Sequence, residues 1–203
     1  MQRVITYIDG YNLYYGLRAK NWKWSYWLNL QALGRSLLKP GQSLEAIKYF
    51  TTIVKQPYDR NRRQAQYLEA LQTLTAFHIY YGHFLSQQVI CRNCGHTYET
   101  HHEKMTDVNI AVEMMTDAFQ DRLDLALLIS GDSDLVGPIQ SMKRLFPQKR
   151  VIVVFPPART SEALKRVADG FTHISRAALV DSLFPDVVIK PNGVELHRPP
   201  GWR

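Results

Sequence analysis

The chain has 203 residues, 45% of them hydrophobic, and its 25 Lys and Arg outweigh 18 Asp and Glu to give a formal net charge of +7. That length suits one domain with a modest extension, and that apolar fraction argues against intrinsic disorder. No apolar run approaches the ~18 residues needed to span a bilayer. The N-terminus starts directly as a strand, without the charged-then-apolar pattern of a secretory signal, so a cytoplasmic protein with no membrane partner is expected. A basic surface suits a polyanion such as RNA or DNA, although net charge alone fits many proteins that bind neither.

Taken in chain order, residues 4–8 read as a buried strand ending at Asp9-Gly10-Tyr11-Asn12. Residues 14–17 begin a short helix or turn. Trp22, Trp24, Tyr26 and Trp27 form an aromatic loop, and residues 28–38 an amphipathic helix stopped by Lys39-Pro40-Gly41. Residues 44–54 read as the second strand. Asp59 is a candidate cap for a helix over about 60–77, where Leu68, Leu71 and Leu74 recur at helical spacing. Residues 77–84 read as a third strand, followed by a Cys-bearing insertion at about 86–102. A helix starts at Met105 or Thr106, with a broad apolar face suited to packing on a sheet. Residues 125–129 and 151–155 are buried strands, and Pro138 is tolerable near the start of the helix expected over 135–145. Ser161 is a plausible cap for a helix over 161–168, and 171–174 a short last strand. Strands alternating with helices indicate a parallel, doubly wound sheet. Residues 1–180 are therefore expected as the domain, and 181–203 as a Pro/Gly-rich tail.

Acids stand in three separated places. Two short apolar strands end abruptly in carboxylates, at Asp9 and at Ser130-Gly131-Asp132-Ser133-Asp134, and Asp107 falls in the first turn of its helix. One Asp after a strand commonly caps the next helix or makes an Asx turn. Two such turns, each with an adjacent Gly, are harder to explain by caps. Ligands bind at the carboxyl ends of strands in open α/β sheets. Carboxylates gathered there repel one another unless a hard cation such as Mg²⁺ or Mn²⁺ neutralises them. Ser130 and Asn12 add neutral oxygens nearby.

Three ordered segments carry a resemblance: Tyr7-Ile8-Asp9-Gly10-Tyr11-Asn12-Leu13, then residues 103–111, Glu-Lys-Met-Thr-Asp-Val-Asn-Ile-Ala, then residues 128–135, Leu-Ile-Ser-Gly-Asp-Ser-Asp-Leu. Together they resemble the NYN domain, in particular the LabA-like branch of the PIN-like nuclease superfamily, over roughly residues 4–175. The resemblance implies a Rossmann-like three-layer α/β/α PIN-like fold with a parallel central sheet. It also implies a ribonuclease, endonucleolytic and dependent on Mg²⁺ or Mn²⁺. Asp9, Asp107, Asp132 and Asp134 carry over as the metal-binding acids, and Asn12 as the polar partner of the first. Such a site would give a 5′-phosphate and a 3′-hydroxyl. The 2′-hydroxyl has no part in that chemistry, so DNA stays open as a substrate. A homodimer is common among PIN-like proteins and is left open as well.

Cys91 and Cys94, spaced Cys-x-x-Cys and followed by Gly95, suit zinc; His96, His101, His102 or His83 would have to complete four ligands. Two surface thiols in a loop are the alternative. Lys20, Lys23 and Arg62 are candidate phosphate contacts, Lys104 another, and Ser130 a further substrate contact. Trp24 and Trp27 read as packing residues. Two rival functions share the scaffold. One is a nucleic-acid-binding regulator with little or no turnover, the other a phosphatase or nucleotide hydrolase. The latter is disfavoured, because one acid alone follows the first strand and no Gly-x-x-x-x-Gly-Lys-Ser/Thr run is present.

Overall fold

The computed structural model describes residues 1–54, 57–90 and 93–202, and for residues 83–90 and 98–104 the backbone alone. The chain opens with β1 (Gln2–Asp9), α1 (Gly10–Ala19), a 3-10 turn (Lys23–Tyr26), α2 (Leu30–Ser36), β2 (Gln42–Thr51), α3 (Tyr58–Leu71) and β3 (Phe77–Tyr81). An antiparallel hairpin, β4 (His83–Ile90) and β5 (Thr97–Lys104), occupies the place of the Cys-bearing insertion. Then come α4 (Thr106–Phe119), β6 (Leu125–Ile129), α5 (Val136–Leu145), β7 (Arg150–Phe155), α6 (Glu162–Val167), β8 (Gly170–His173) and α7 (Arg176–Asp181). The chain ends with β9 (Val187–Ile189), β10 (Glu195–His197) and a 3-10 turn (Pro200–Trp202).

Six strands form one parallel sheet in the order β3-β2-β1-β6-β7-β8. Side chains alternate across it with period two, so each strand feeds two cores. Val4 and Ile8 of β1 join Leu125, Leu127 and Ile129 of β6 in one apolar cluster, together with residues of α1, α2, α3 and α7. Ile5 and Tyr7 join Ala126 and Leu128 in the other, with residues of α4, α5 and α6. Strands covered on both faces carry unbroken apolar runs, which is why β6 and β7 read so plainly in the sequence. The result is a three-layer α/β/α fold.

The sheet order reverses direction between β1 and β6: the chain first builds outward to β3, then returns to the other side of β1. Open α/β sheets place their ligand crevice at that switch point, beyond the carboxyl ends of the strands. Asp9 ends β1 and Ser130 follows β6, so both acidic turns lie there.

Two expectations about α3 change. Pro57, not Asp59, is the residue at the N-cap of α3, and it offers no side-chain bond; Asp59 sits in the first turn, where the helix dipole favours an anion. The helix also ends at Leu71, six residues before the expected 77, and Leu74 packs on the core from the loop beyond. The cap at Ser161 is as expected, its hydroxyl accepting the Leu164 N–H. The segment from 181, expected as a Pro/Gly-rich tail, carries the end of α7, the β9–β10 hairpin and the last 3-10 turn. It is tied down at several points. The buried Trp27 indole donates to the Pro185 carbonyl at 2.8 Å, and Arg198 donates to the carbonyls of Trp24 and Trp202, both at 2.6 Å.

Candidate active site

Asp9 caps α1: its Oδ1 accepts the Asn12 backbone N–H at 2.9 Å, while its Oδ2 accepts the Ser130 hydroxyl at 2.9 Å. The carboxylate is 4% exposed, and these donors offset the cost of burying it. Asn12 reaches across in return, its Oδ1 accepting the Gly131 N–H at 2.9 Å. Ser130 Oγ accepts the Asp132 N–H at 3.1 Å, and Asp132 Oδ1 accepts the Asp134 N–H at 3.0 Å. The two acidic turns are thus stitched together by side chains from both. Gly10 is required by β2: a Cβ there would stand 2.6 Å from the Phe50 carbonyl oxygen and 2.7 Å from the Tyr49 hydroxyl.

Asp107 enters on α4. That helix is fixed by a buried charged network on its sheet-facing side. The Lys48 ammonium lies 2.6 Å from both Asp117 and Glu113, the Tyr7 hydroxyl donates to Asp117 at 2.6 Å, and the Tyr80 hydroxyl donates to Glu113 at 2.8 Å. Burial, reinforced by the Asp117 charge, pushes the Tyr7 phenol well above its ordinary value. Burial works to raise the Glu113 carboxyl, but hydrogen bonds from Lys48 and Tyr80 together hold it below its usual range. Asp107, Ile110, Met114 and Asp117 recur at helical spacing, so anchoring Asp117 orients Asp107 toward the strand ends.

Asp9, Asp107 and Asp132 line one cleft of about 190 Å³ with Tyr11, Asn12, Tyr15, Thr106 and Arg159. Arg159 has no counterpart in the sequence reading. Its Nε is buried and has no hydrogen-bond partner among the described residues. Two glycines make room for it: a Cβ at Gly131 would lie 3.1 Å from Arg159 Cβ, and one at Gly16 would lie 3.3 Å from Arg159 Cγ. Non-glycine residues in left-handed backbone precede both Asp107 and Arg159 closely, Met105 at φ 80° and Ala158 at φ 55°. Such positions are uncommon outside glycine and concentrate at functional sites. The sequence signal for Arg159 was weak: Phe155-Pro156-Pro157-Ala158-Arg159 follows a strand end, but it carries no acid.

The donor set is hard carboxylate oxygen, which suits Mg²⁺ or Mn²⁺. Among the described residues, no three His, Cys, Asp or Glu side chains stand close enough to hold one ion as they are. The three carboxylates share a cleft without meeting at a point, so the fit rests on donor chemistry. Asp134 is exposed and is not among the residues lining the cleft; its backbone orients Asp132. Lys104 ends β5, two residues before α4, with its side chain outside the described residues, as is that of His101. Cys94 and His96 are exposed between β4 and β5, and Cys91 lies outside the described residues. Lys20 and Arg62 are exposed and are not among the residues lining the cleft, while Lys23 lines a larger groove beside it together with Arg60 and Arg63.

A family model for the NYN domain matches residues 3–175. The chain belongs to the NYN domain family. That membership places it in the PIN-like nuclease superfamily. The NYN match covers every acidic residue described above. A crystal structure of a protein of unknown function from Vibrio parahaemolyticus shares the NYN chain's fold, with a TM-score of 0.57 at 20% identity over 90% of this chain and 96% of that one. A curated relative, 6-hydroxy-3-succinoylpyridine 3-monooxygenase HspA from Pseudomonas putida, is 28% identical over 86% of the chain. The NYN chain spans 66% of that relative's length, short of two thirds. No helix among the described residues is long and apolar enough to cross a membrane.

Proposed function

We propose that this NYN protein is a divalent-metal-dependent ribonuclease that hydrolyses internal phosphodiester bonds of RNA. One observation carries the reading: three carboxylates and an arginine from four separate chain segments line one cleft at the sheet's switch point. A Mg²⁺ or Mn²⁺ ion held by Asp9, Asp107 and Asp132 would offset carboxylate repulsion and supply Lewis acidity toward the phosphate. The chain's own groups do the rest. Asn12 and Ser130 hold Asp9 in one orientation, and the Asp134 N–H fixes Asp132. Arg159 is suited to a non-bridging phosphate oxygen, because its fork of donors matches phosphate geometry and it stays charged at any working pH. Water attacks phosphorus in line, the P–O3′ bond breaks, and the products are a 5′-phosphate and a 3′-hydroxyl.

The test is cleavage of end-labelled single-stranded RNA and matched DNA with Mn²⁺, Mg²⁺ or EDTA, for wild type and Asp132→Asn. Internal cuts that need metal and vanish in the variant support the reading. Equal inertness of both proteins with both metals, while each still retards RNA in a gel, would sink it in favour of a binding regulator. The HspA relative supplies a second reading. That protein is named for a monooxygenase acting on a succinoylpyridine, and the tyrosine-lined groove beside the cleft here has room for a small aromatic ligand.

A further inference from the structure

We propose that the larger groove is a channel for the unpaired bases of a single-stranded nucleic acid whose backbone passes through the acidic cleft. The proposal rests on the nuclease reading and adds a substrate form to it. The groove encloses about 1030 Å³ and shares Tyr11 and Tyr15 with the cleft, so the two adjoin at those rings.

Its walls are two helix faces with the same spacing. Tyr11, Tyr14, Tyr15 and Arg18 lie at i, i+3, i+4 and i+7 of α1; Arg60, Arg63, Gln64 and Tyr67 lie at i, i+3, i+4 and i+7 of α3. Each set therefore forms one stripe. Arg62 falls between the groove-facing positions of α3, so it points elsewhere. The C-terminal 3-10 turn closes the far end with Trp202.

Aromatic rings follow one another along the groove. Tyr11 and Tyr15 stand 6.0 Å apart, Tyr15 and Tyr14 5.3 Å, Tyr14 and Tyr26 5.2 Å, and Tyr26 and Trp202 5.7 Å, between ring centres. Among the described residues, the charged ones that line the groove, Arg18, Lys23, Arg60 and Arg63, are all basic. A row of π-faces flanked by cations, with no carboxylate among the described lining residues, suits bases that stack and phosphates that run alongside. A duplex keeps its base faces stacked on one another and cannot offer them to the tyrosines, so the occupant is single-stranded. The Arg18 guanidinium already sits 5.9 Å from the Tyr15 ring centre, and Tyr15 is 39% exposed, so this stretch of the row is open to a ligand.

The experiment measures affinity of a fluorescein-labelled single-stranded RNA octamer, and of its duplex, in EDTA by anisotropy. Wild type is compared with Tyr14→Ala, Tyr14→Phe and Arg63→Ala. The channel predicts preference for the single strand. It predicts a loss of roughly tenfold or more for Tyr14→Ala, near-wild-type affinity for Tyr14→Phe, and a shallower salt dependence for Arg63→Ala. A 5-iodouridine octamer should crosslink to peptides carrying Tyr14 or Trp202. Unchanged affinity in both alanine variants, equal affinity for the duplex, or binding of 6-hydroxy-3-succinoylpyridine with none of the octamer would overturn the proposal. Groove-dependent binding without cleavage in any metal upholds the channel and removes the nuclease reading. Cleavage with binding indifferent to the groove variants does the reverse.

Discussion

Ser130 Oγ donates to Asp9 Oδ2 at 2.9 Å, joining two residues 121 positions apart, and the same oxygen accepts the Asp132 N–H. One hydroxyl thus fixes the buried acid of β1 and the turn that carries the acid after β6. Ser130→Ala removes a donor from a buried carboxylate and an acceptor from a backbone N–H at once. A loss of about 1–3 kcal/mol in stability is expected, the range for leaving buried polar groups unsatisfied. Urea denaturation of the metal-free protein checks it. Cleavage should fall as well, with half-saturation shifted to higher Mn²⁺, since one of the two hydrogen bonds that orient the Asp9 carboxylate is removed.

Arg159 separates a positioning role from a charge role. Arg159→Ala should lower kcat by about a hundredfold, in line with removal of a preorganised donor from a developing oxyanion. Arg159→Lys should recover little of that, because a lysine ammonium cannot reproduce the planar fork of donors. Single-turnover cleavage of the RNA octamer gives the comparison. If Lys restores wild-type rate, Arg159 acts through charge alone.

The inner strands β1 and β6 were legible because they are buried on both faces and read as apolar runs, and the acidic turns because they interrupt those runs abruptly. The arginines of α3 show where such reading stops. Arg60, Arg62 and Arg63 look alike in a sequence, and the choice among them depends on which helix face meets the groove. Arg159 and Trp202 come from turns, where no periodicity marks them. The terminal β9–β10 hairpin is three residues per strand, too short for alternation to show, and its order comes from tertiary bonds such as Trp27 to Pro185. Membership of the PIN-like class rested on three motifs in order, and no composition or period would have supplied it.

Lys48 reaches α4 from β2 and is 5% exposed. Its ammonium is raised above its ordinary pKa: burial opposes this, but hydrogen bonds to Asp117 and Glu113 together prevail. Lys48→Met leaves the fully buried Asp117 without its closest cation. A loss of about 3–5 kcal/mol is expected, as for breaking one side of a buried ion pair. The double variant Lys48→Met, Asp117→Leu should recover part of it, since the stranded charge is gone. Chemical denaturation of the single and double variants at neutral pH measures both. Cleavage should drop in the single variant too, because the face of α4 that holds Asp117 also carries Asp107.

At the opposite end of the sheet, Arg3 and Asp124 form a pair whose worth depends on pH. Hydrogen bonds from the Arg3 side chain and then its backbone N–H lower the Asp124 carboxyl from 3.8 to about 2, against a smaller opposing effect of burial. The folded value lies below the unfolded one, so the pair's contribution is complete above about pH 4. It is lost as pH falls from about 4 through about 2, where the folded carboxyl takes up its proton. Solvent reaches the pair, with Asp124 37% exposed, so the effect is modest and salt-sensitive. Asp124→Asn should therefore be less stable than wild type by a constant margin above pH 5, and the two curves should converge between about pH 4 and 2. A margin that persists unchanged at pH 2 would mean that the substitution acts through something other than the lost charge.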